Sequence, residues 1–248
     1  MTIQGVIFDL GHTLMHLDGT WPEMFERGAA DLVRFLQARA PEMDAEALAR
    51  TWLDRRRDGF ARAHDTLREV TAEDSMRRSL ARCGLPDPGP ELLAGAIDAF
   101  FACEEARWIA DPEAAAVLQD LSGRGLRLGM LSNATHDPLI QRLVDRLGFR
   151  PWLDPAFSSA ATGIRKPDPA AFDPILEQWG LPAATVAMVG DTLEADVQGA
   201  RRAGMRAVWL RSRQDARQEG IAAAAQPPAA PDATIARLGE LPACLLAL

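Results

Sequence analysis

Lysine, tyrosine and cysteine are scarce in this chain. Its 248 residues include no tyrosine and 27 basic side chains, of which Lys166 alone is a lysine and the rest are arginines. A compact ammonium kept among guanidinium groups suggests a position that a planar group would not fit, although chance survival on a solvated loop is the alternative. The three cysteines, Cys83, Cys103 and Cys244, are odd in number and scattered, which argues against a disulfide framework or a metal site and predicts reduced thiols.

Long apolar runs and a basic surface are also missing. No stretch reaches the roughly 18 apolar residues of a membrane span, and the first residues lack the pattern of a secretion signal. We therefore expect a cytoplasmic protein. The formal net charge of −8 argues against partners such as nucleic acid or an anionic membrane, because both need a basic surface. The sequence indicates no oligomeric state.

The first apolar run is short and rich in strand-forming residues. Val6, Ile7 and Phe8 predict a buried strand, and Asp9 and Gly11 follow it directly. The carboxyl end of a central parallel strand is where open α/β sheets bind ligands. Asp9 is therefore a candidate site residue, although an Asp that merely starts a turn is the alternative.

Residues 16–105 show apolar positions at helical spacing and no clear strand. The predicted helices are Trp21–Arg39, Asp44–Arg62, Ala72–Cys83 and Glu91–Glu105. This stretch is predicted to be an all-helical insertion after the first strand. Its arginines, including Arg55, Arg56 and Arg57, could contact an acidic substrate, but we expect a solvated helix face.

Strands and helices alternate after Trp108, which predicts right-handed crossovers and a parallel sheet with helices on both faces. The fold class is therefore α/β, with residues 1–15 and 106–248 forming the sheet domain. Residues 221–231 are rich in alanine and proline and predict a surface loop, and residues 233–248 predict a last strand and helix. The remaining predicted strands are Leu126–Leu131, Ala156–Ser159, Val186–Val189 and Ala207–Leu210, and the remaining helices begin at Asp111, His136, Pro169 and Leu193.

Acidic residues follow two of the predicted strands. Asp9 and Asp191 end strands, and Asp196 lies in the first turn of the next helix. Three carboxylates at one sheet edge would repel one another, and a divalent cation would relieve the repulsion. Mg²⁺ prefers oxygen ligands, so Asp9, Asp191 and the carbonyl of Gly11 are candidate ligands, with Asp196 completing the acidic set. Taken singly, Asp191 could instead cap a helix, and Asp196 could be solvated.

Groups suited to an anion lie at the same predicted edge. Ser132 and Asn133 follow a strand, and Lys166 precedes a helix. Their donors and positive charge would hold a phosphate opposite the metal, leaving an oxygen of Asp9 to act as a nucleophile. A plain turn at Ser132 and Asn133 is the alternative.

Four motifs in this order resemble the haloacid dehalogenase-like hydrolase superfamily. They are Phe8-Asp9-Leu10-Gly11-His12-Thr13-Leu14, Leu131-Ser132-Asn133, Arg165-Lys166-Pro167-Asp168-Pro169 and Gly190-Asp191-Thr192-Leu193-Glu194-Ala195-Asp196. The resemblance implies a Rossmann-like core, a helical cap domain at 16–105, a Mg²⁺ ion, and hydrolysis of a small phosphorylated metabolite through a phospho-aspartyl intermediate at Asp9.

The resemblance departs from the family pattern at one position. Phosphatases of the family carry a second Asp, which transfers protons, where this chain has Gly11. The next residue, usually Gly, is His12, which could supply the proton or could point away. Two other functions stay open. A 2-haloacid dehalogenase would carry a tyrosine at Gly11 and need no metal, and a member without catalysis would only bind a phosphorylated ligand or a protein.

Overall fold

A parallel sheet forms the centre of the computed structural model, which describes residues 2–211 and 230–248. Its strands are β1 (Gly5–Phe8), β4 (Arg127–Ser132), β5 (Ala156–Ser158), β6 (Val186–Gly190), β7 (Arg206–Leu210) and β8 (Ala233–Ile235). They lie side by side in the order β5-β4-β1-β6-β7-β8, and every pairing is parallel. The predicted fold class is confirmed.

Strand β1 occupies the middle of the sheet because it is apolar on both faces. All four of its residues are buried. Val6 and Phe8 pack into the hydrophobic cluster on one face, and Ile7 packs into the cluster on the other, as alternation along a strand requires. The strand pairs with β4 on one side and with β6 on the other. Asp9 therefore emerges between the ends of two neighbouring strands.

Four long helices come between β1 and β4, as predicted. They are α1 (Trp21–Arg39), α2 (Ala45–Thr66), α3 (Ala72–Arg82) and α4 (Pro90–Arg107). Side chains cap the first three: Thr20 and Glu23 form a reciprocal capping box on α1, Asp44 caps α2, and Thr71 caps α3. Such caps satisfy backbone N–H groups that the first helical turn leaves unpaired.

A short antiparallel pair of strands, which the sequence analysis did not predict, brackets these helices. Strand β2 (Met15–Leu17) pairs with β3 (Trp108–Ala110). The chain thus enters and leaves the helical insertion through adjacent strands. This pairing fits the proposed division into a cap domain at 16–105 and a sheet domain at 1–15 and 106–248, which stays a prediction.

Most helices of the sheet domain lie where they were predicted, but the one expected from Asp111 begins at Ala114, and the short helix Ser159–Thr162 was not predicted. The segment predicted to be helical from Leu193 is a π-helix (Leu193–Gln198) that continues into a short α-helix, and the one from Pro169 starts as a 3₁₀ turn (Pro169–Ala171). Most of the predicted loop 221–231 lies outside the described residues.

No described helix combines the length and apolarity that a membrane crossing requires. The α-helices are α5 (Ala114–Gly123), α6 (Asp137–Arg146), α7 (Ser159–Thr162), α8 (Asp173–Trp179), α9 (Gly199–Arg202) and α10 (Leu241–Cys244), and further 3₁₀ turns span Ala183–Thr185, Leu238–Glu240 and Leu245–Ala247.

A glycine allows close contact between α1 and α4. A Cβ atom added at Gly28 would lie well inside van der Waals contact with the carbonyl oxygen of Phe100 and 3.2 Å from its ring. We expect Gly28→Ala to lower the free energy of unfolding by about 1–3 kcal/mol, because the helices must move apart. Gly123→Ala is the control, since nothing lies within 4 Å of the added atom and helical propensity favours alanine by up to about 1 kcal/mol. Chemical denaturation of both variants measures the difference. Equal stabilities would contradict the importance of this contact.

Candidate active site

Asp9 lies at the carboxyl end of β1. Its backbone N–H donates to the carbonyl oxygen of Val189, 2.9 Å away at the end of the neighbouring β6. Its Oδ1 accepts a hydrogen bond from Nζ of Lys166 at 2.6 Å. The side chain is therefore held at the sheet edge where ligands bind in this class of fold.

The Nζ atom of Lys166 contacts three oxygens at once, two through hydrogen bonds and the third as an ion pair. Besides Asp9, its Nζ lies 2.7 Å from Oδ1 of Asp196 and 2.7 Å from the carbonyl oxygen of Leu131. The residue is only 2% exposed. An ammonium has three N–H donors, and three acceptors converge on it here. This arrangement is a physical reason for a lysine where the rest of the chain uses arginine, because a planar guanidinium does not match three converging oxygens.

Asn133 fixes the loop that carries Lys166. Its Nδ2 donates to the carbonyl oxygen of Lys166 at 2.8 Å, and its Oδ1 accepts from the backbone N–H of Lys166 at 2.9 Å. Ser132, the last residue of β4, is buried and lines the cavity that also contains Asp9 and Lys166. The amide of Asn133 thus positions the lysine, and the prediction that Ser132 and Asn133 contact substrate stays open.

The three predicted acidic residues meet in space. Asp9, Asp191 and Asp196 each offer a carboxylate oxygen, and these oxygens lie within 4.8 Å of one another. Oδ2 of Asp196 accepts from the backbone N–H of Thr192 at 2.9 Å. The N-cap residue of the helix that starts at Leu193 is Thr192, not Asp191, and its side chain makes no capping hydrogen bond. The cluster could hold a metal ion.

Burial and charge act in opposite directions within this cluster. Burial and, to a smaller extent, the neighbouring charge of Asp196 raise the pKa of Asp9 to about 6, against the opposing charge of Lys166. Burial lowers the pKa of Lys166, but the charges of Asp196 and Asp9 outweigh it and the net shift is upward. Lys166 therefore keeps its charge, and Asp9 is mostly ionised at neutral pH.

Gly11 and His12 follow Asp9 into the turn. His12 has φ 59°, a left-handed conformation that favours glycine, which agrees with the glycine usual there in the family. A Cβ atom at Gly11 would lie 3.4 Å from the Trp108 ring, an ordinary contact. The ring of His12 meets that of Trp108 edge to face, with centroids 5.5 Å apart. Both residues line the same pocket as Asp9.

A cavity of about 550 Å³ joins the sheet edge to the helical insertion. All eight predicted site residues line it: Asp9, Gly11, His12, Ser132, Asn133, Lys166, Asp191 and Asp196. From the insertion and its neighbouring strand β3 come residues that sequence reasoning did not assign to the site, among them Trp21, Phe25, Phe60, Phe101, Glu104 and Trp108. The cavity therefore combines acidic groups and a lysine from the sheet edge with aromatic side chains from the insertion and β3.

The three consecutive arginines of α2 do not form one solvated face, so that expectation was wrong for Arg56. The side chain of Arg57 is 75% exposed, whereas Arg56 is 7% exposed and lines the cavity. Burial lowers the pKa of Arg56 to about 10, against the opposing charges of Glu104 and Glu69. Arg56 thus stays positively charged at neutral pH.

The loop between α2 and α3 contacts the loop that carries Lys166. The side chain of Glu69 is fully buried, accepts from Arg165 Nη1 at 2.5 Å and also accepts from the Ser159 hydroxyl. Backbone bonds run from Glu69 N to Gly163 O and from Arg165 N to Leu67 O. Glu69 and Arg165 are 96 positions apart, and no local pattern indicated their pairing.

Comparison with known proteins agrees with this geometry. A family model described as haloacid dehalogenase-like hydrolase matches residues 3–204. A phosphoserine phosphatase from Thermus thermophilus is 38% identical over 137 residues, which are 54% of each chain, so this chain spans about half of that relative's length. A ribulose-1,5-bisphosphate 5-phosphatase from Halopiger xanaduensis is 29% identical over 95% of this chain and 96% of its own.

A similar solved structure is that of a 2-haloacid dehalogenase from Pseudomonas syringae pv. Tomato. It has a TM-score of 0.71 and 28% identity, and the match covers 99% of each chain. Proteins with two different activities thus resemble this chain, and both activities are hydrolytic.

The buried pair of Glu69 and Arg165 predicts a large loss on truncation. We expect Glu69→Ala to lower the free energy of unfolding by about 3 kcal/mol, because Arg165 would keep a poorly hydrated charge without its partner. The control is Glu73→Ala, which removes an exposed pair with Arg77 and should cost at most about 0.5 kcal/mol. Chemical denaturation compares the two. A similar small loss in both variants would contradict a tight contact between these loops.

Proposed function

Since the chain belongs to the haloacid dehalogenase-like hydrolase family, we propose that it is a Mg²⁺-dependent phosphatase acting on a small phosphorylated metabolite. The observation that carries the proposal is the triple contact of Lys166 with Asp9, Asp196 and Leu131 at the acidic cluster of the cavity. The phosphatase relatives act, by their names, on phosphorylated small molecules, and this supports the substrate class.

The acidic cluster fits a divalent cation by its charge and its donor atoms. Asp9, Asp191 and Asp196 carry three negative charges within a small space, and Lys166 neutralises one of them. Asp9, Asp191 and the carbonyl of Gly11 would hold Mg²⁺, with Asp196 completing the set, because this ion prefers oxygen ligands. When bound, the ion supplies positive charge that stabilises the phosphoryl oxygens.

The residues of the chain then have distinct tasks in phosphoryl transfer. A carboxylate oxygen of Asp9 attacks phosphorus while the bond from phosphorus to the leaving-group oxygen breaks, and a water later hydrolyses the acyl phosphate to release inorganic phosphate. Lys166 holds Asp9 through Oδ1 and adds positive charge beside the transferred group. Ser132 and Asn133 donate hydrogen bonds to that group.

The leaving-group oxygen must gain a proton, which Gly11 cannot supply. We assign this task to His12, whose ring lies at the cavity beside Trp108 and whose side-chain type titrates near neutral pH. General acid–base help of this kind contributes about 10²–10⁴ in rate. A phosphatase that lacked it entirely would be slow on alkyl phosphates.

A 2-haloacid dehalogenase is the second candidate, favoured by the similar solved structure of that activity. The resemblance gives such enzymes a tyrosine at the position of Gly11 and no metal, whereas this chain has no tyrosine and retains the acidic cluster. These two features favour the phosphatase.

The basic test is hydrolysis of p-nitrophenyl phosphate. The wild-type chain should turn it over with Mg²⁺ and stop when the metal is chelated, and Asp9→Asn should fall to background because the nucleophile is lost. Asp120→Asn, which changes an exposed carboxylate paired with Arg124, should keep the wild-type rate. Wild-type activity no higher than that of Asp9→Asn would refute the proposal. Halide release from 2-chloropropionate would then favour the dehalogenase, and phosphate-analogue binding without turnover a non-catalytic member.

The assignment of His12 predicts a dependence on the leaving group. We expect His12→Asn to lower kcat by about 10²-fold on ethyl phosphate and far less on p-nitrophenyl phosphate, whose leaving group is stable as an anion. Asn is chosen because it tolerates the left-handed backbone at this position. Adding Gly11→Asp should restore the rate on ethyl phosphate, since an added Cβ meets only the Trp108 ring. Equal losses on both substrates would show that His12 does not transfer this proton.

A further inference from the structure

Arg56 is enclosed by aromatic rings. Its Cζ atom lies 4.8–5.9 Å from the centroids of five of them: Phe25, Trp52, Phe60, Phe100 and Phe101. Aromatic faces attract a cation, and they also keep water away from it. Arg56 is consequently a charged group in largely apolar surroundings that lines the cavity.

The guanidinium of Arg56 makes no ion pair within the described part of the chain, and the charges of Glu104 and Glu69 act on it only from farther away. Its one hydrogen bond there goes from Nη1 to the hydroxyl of Thr135 at 3.2 Å, and Nε is buried without an acceptor. No carboxylate of the described residues lies within the 4.0 Å that defines an ion pair, whereas the largely buried Arg165 has one. Buried charges are normally paired, so an anion from outside the chain would complete this site.

The position of Arg56 indicates that this anion would be a group of the bound substrate. Thr135, its hydrogen-bond partner, lies two residues after Asn133, on the loop that leaves the sheet edge. Arg56 and Lys166 line one cavity of about 550 Å³. A ligand whose phosphate is held near Lys166 would therefore extend its other end towards Arg56.

We propose that Arg56 binds a carboxylate on the leaving-group side of the substrate, which makes the substrate class small phosphomonoesters of carboxylic acids. The inference rests on the proposed phosphatase function for its assignment of the phosphate end. A planar carboxylate matches the donor pair of a guanidinium. Glu104 lines the same cavity, and its charge disfavours a dianion such as a second phosphate more than a singly charged carboxylate.

The test uses two probes that differ only in the carboxylate and are not hydrolysed. 3-Phosphonopropionate carries it, and propylphosphonate has a methyl group instead. In calorimetry with Mg²⁺, the wild-type chain should bind 3-phosphonopropionate about 10- to 100-fold more tightly, the range expected for hydrogen bonds between charged groups. Arg56→Met should reduce this preference at least tenfold. Arg56→Lys keeps the charge but loses the paired donors, so its preference should lie between those of the wild-type chain and Arg56→Met.

Arg57→Met is the matched control, because Arg57 is the adjacent arginine but its side chain is 75% exposed. It should keep the full preference, and melting temperatures will verify that all variants are folded. Equal binding of the two probes by the wild-type chain overturns the inference without any variant, even if p-nitrophenyl phosphate is hydrolysed. Tighter binding of ethylene-1,2-bisphosphonate than of 3-phosphonopropionate also overturns the carboxylate assignment. Carboxylate preference without hydrolysis would instead refute the phosphatase function and leave Arg56 as a carboxylate-binding residue.

Discussion

The contact of one ammonium with two carboxylates and a carbonyl oxygen is the constraint that organises this molecule. Lys166 is almost fully buried and reaches Asp9, Asp196 and the end of β4 together. Buried charges require such pairing, and the oxygens come from the ends of β1 and β4 and from the π-helix that follows β6. The parallel sheet satisfies the requirement because it brings those ends to one edge, and Asn133 then holds the lysine loop by both amide atoms.

The cavity brings together residues of the sheet edge and of the helical insertion. The sheet edge offers carboxylates, an ammonium and backbone groups. None of these groups would distinguish one phosphate ester from another. The helical insertion supplies aromatic rings and Arg56 to the same cavity. Since the four helices join the sheet domain through β2 and β3, their packing sets the distance between the two sets of residues and hence the length of ligand that fits.

The strand-end residues were predictable from the sequence, whereas the aromatic lining was not. Short apolar runs that end in Asp9 or Asp191 place those carboxylates at one sheet edge whatever the details of packing. By contrast, Arg56 and Arg57 are identical neighbours in the chain, and only tertiary contacts bury the first and expose the second. Glu69 and Arg165 likewise meet across 96 positions. Helical periodicity indicates which face of α2 is apolar. It counts every arginine as polar, however, and so it cannot identify an arginine such as Arg56 that is buried.

Trp108 lies beside the turn that contains Gly11 and His12. A Cβ atom at Gly11 would contact the ring of Trp108, and the same ring meets that of His12 edge to face. The Nε1–H of Trp108 donates to Glu104 at 3.3 Å. The aromatic lining thus extends up to the turn after Asp9, where the resemblance would place a second carboxylate. Apolar surroundings strengthen electrostatic interactions, so the charges of Lys166 and Arg56 both act on a bound ligand with little screening by water. An imidazole at His12 adds no further negative charge to the site of Asp9, Asp191 and Asp196, whereas a carboxylate at position 11 would.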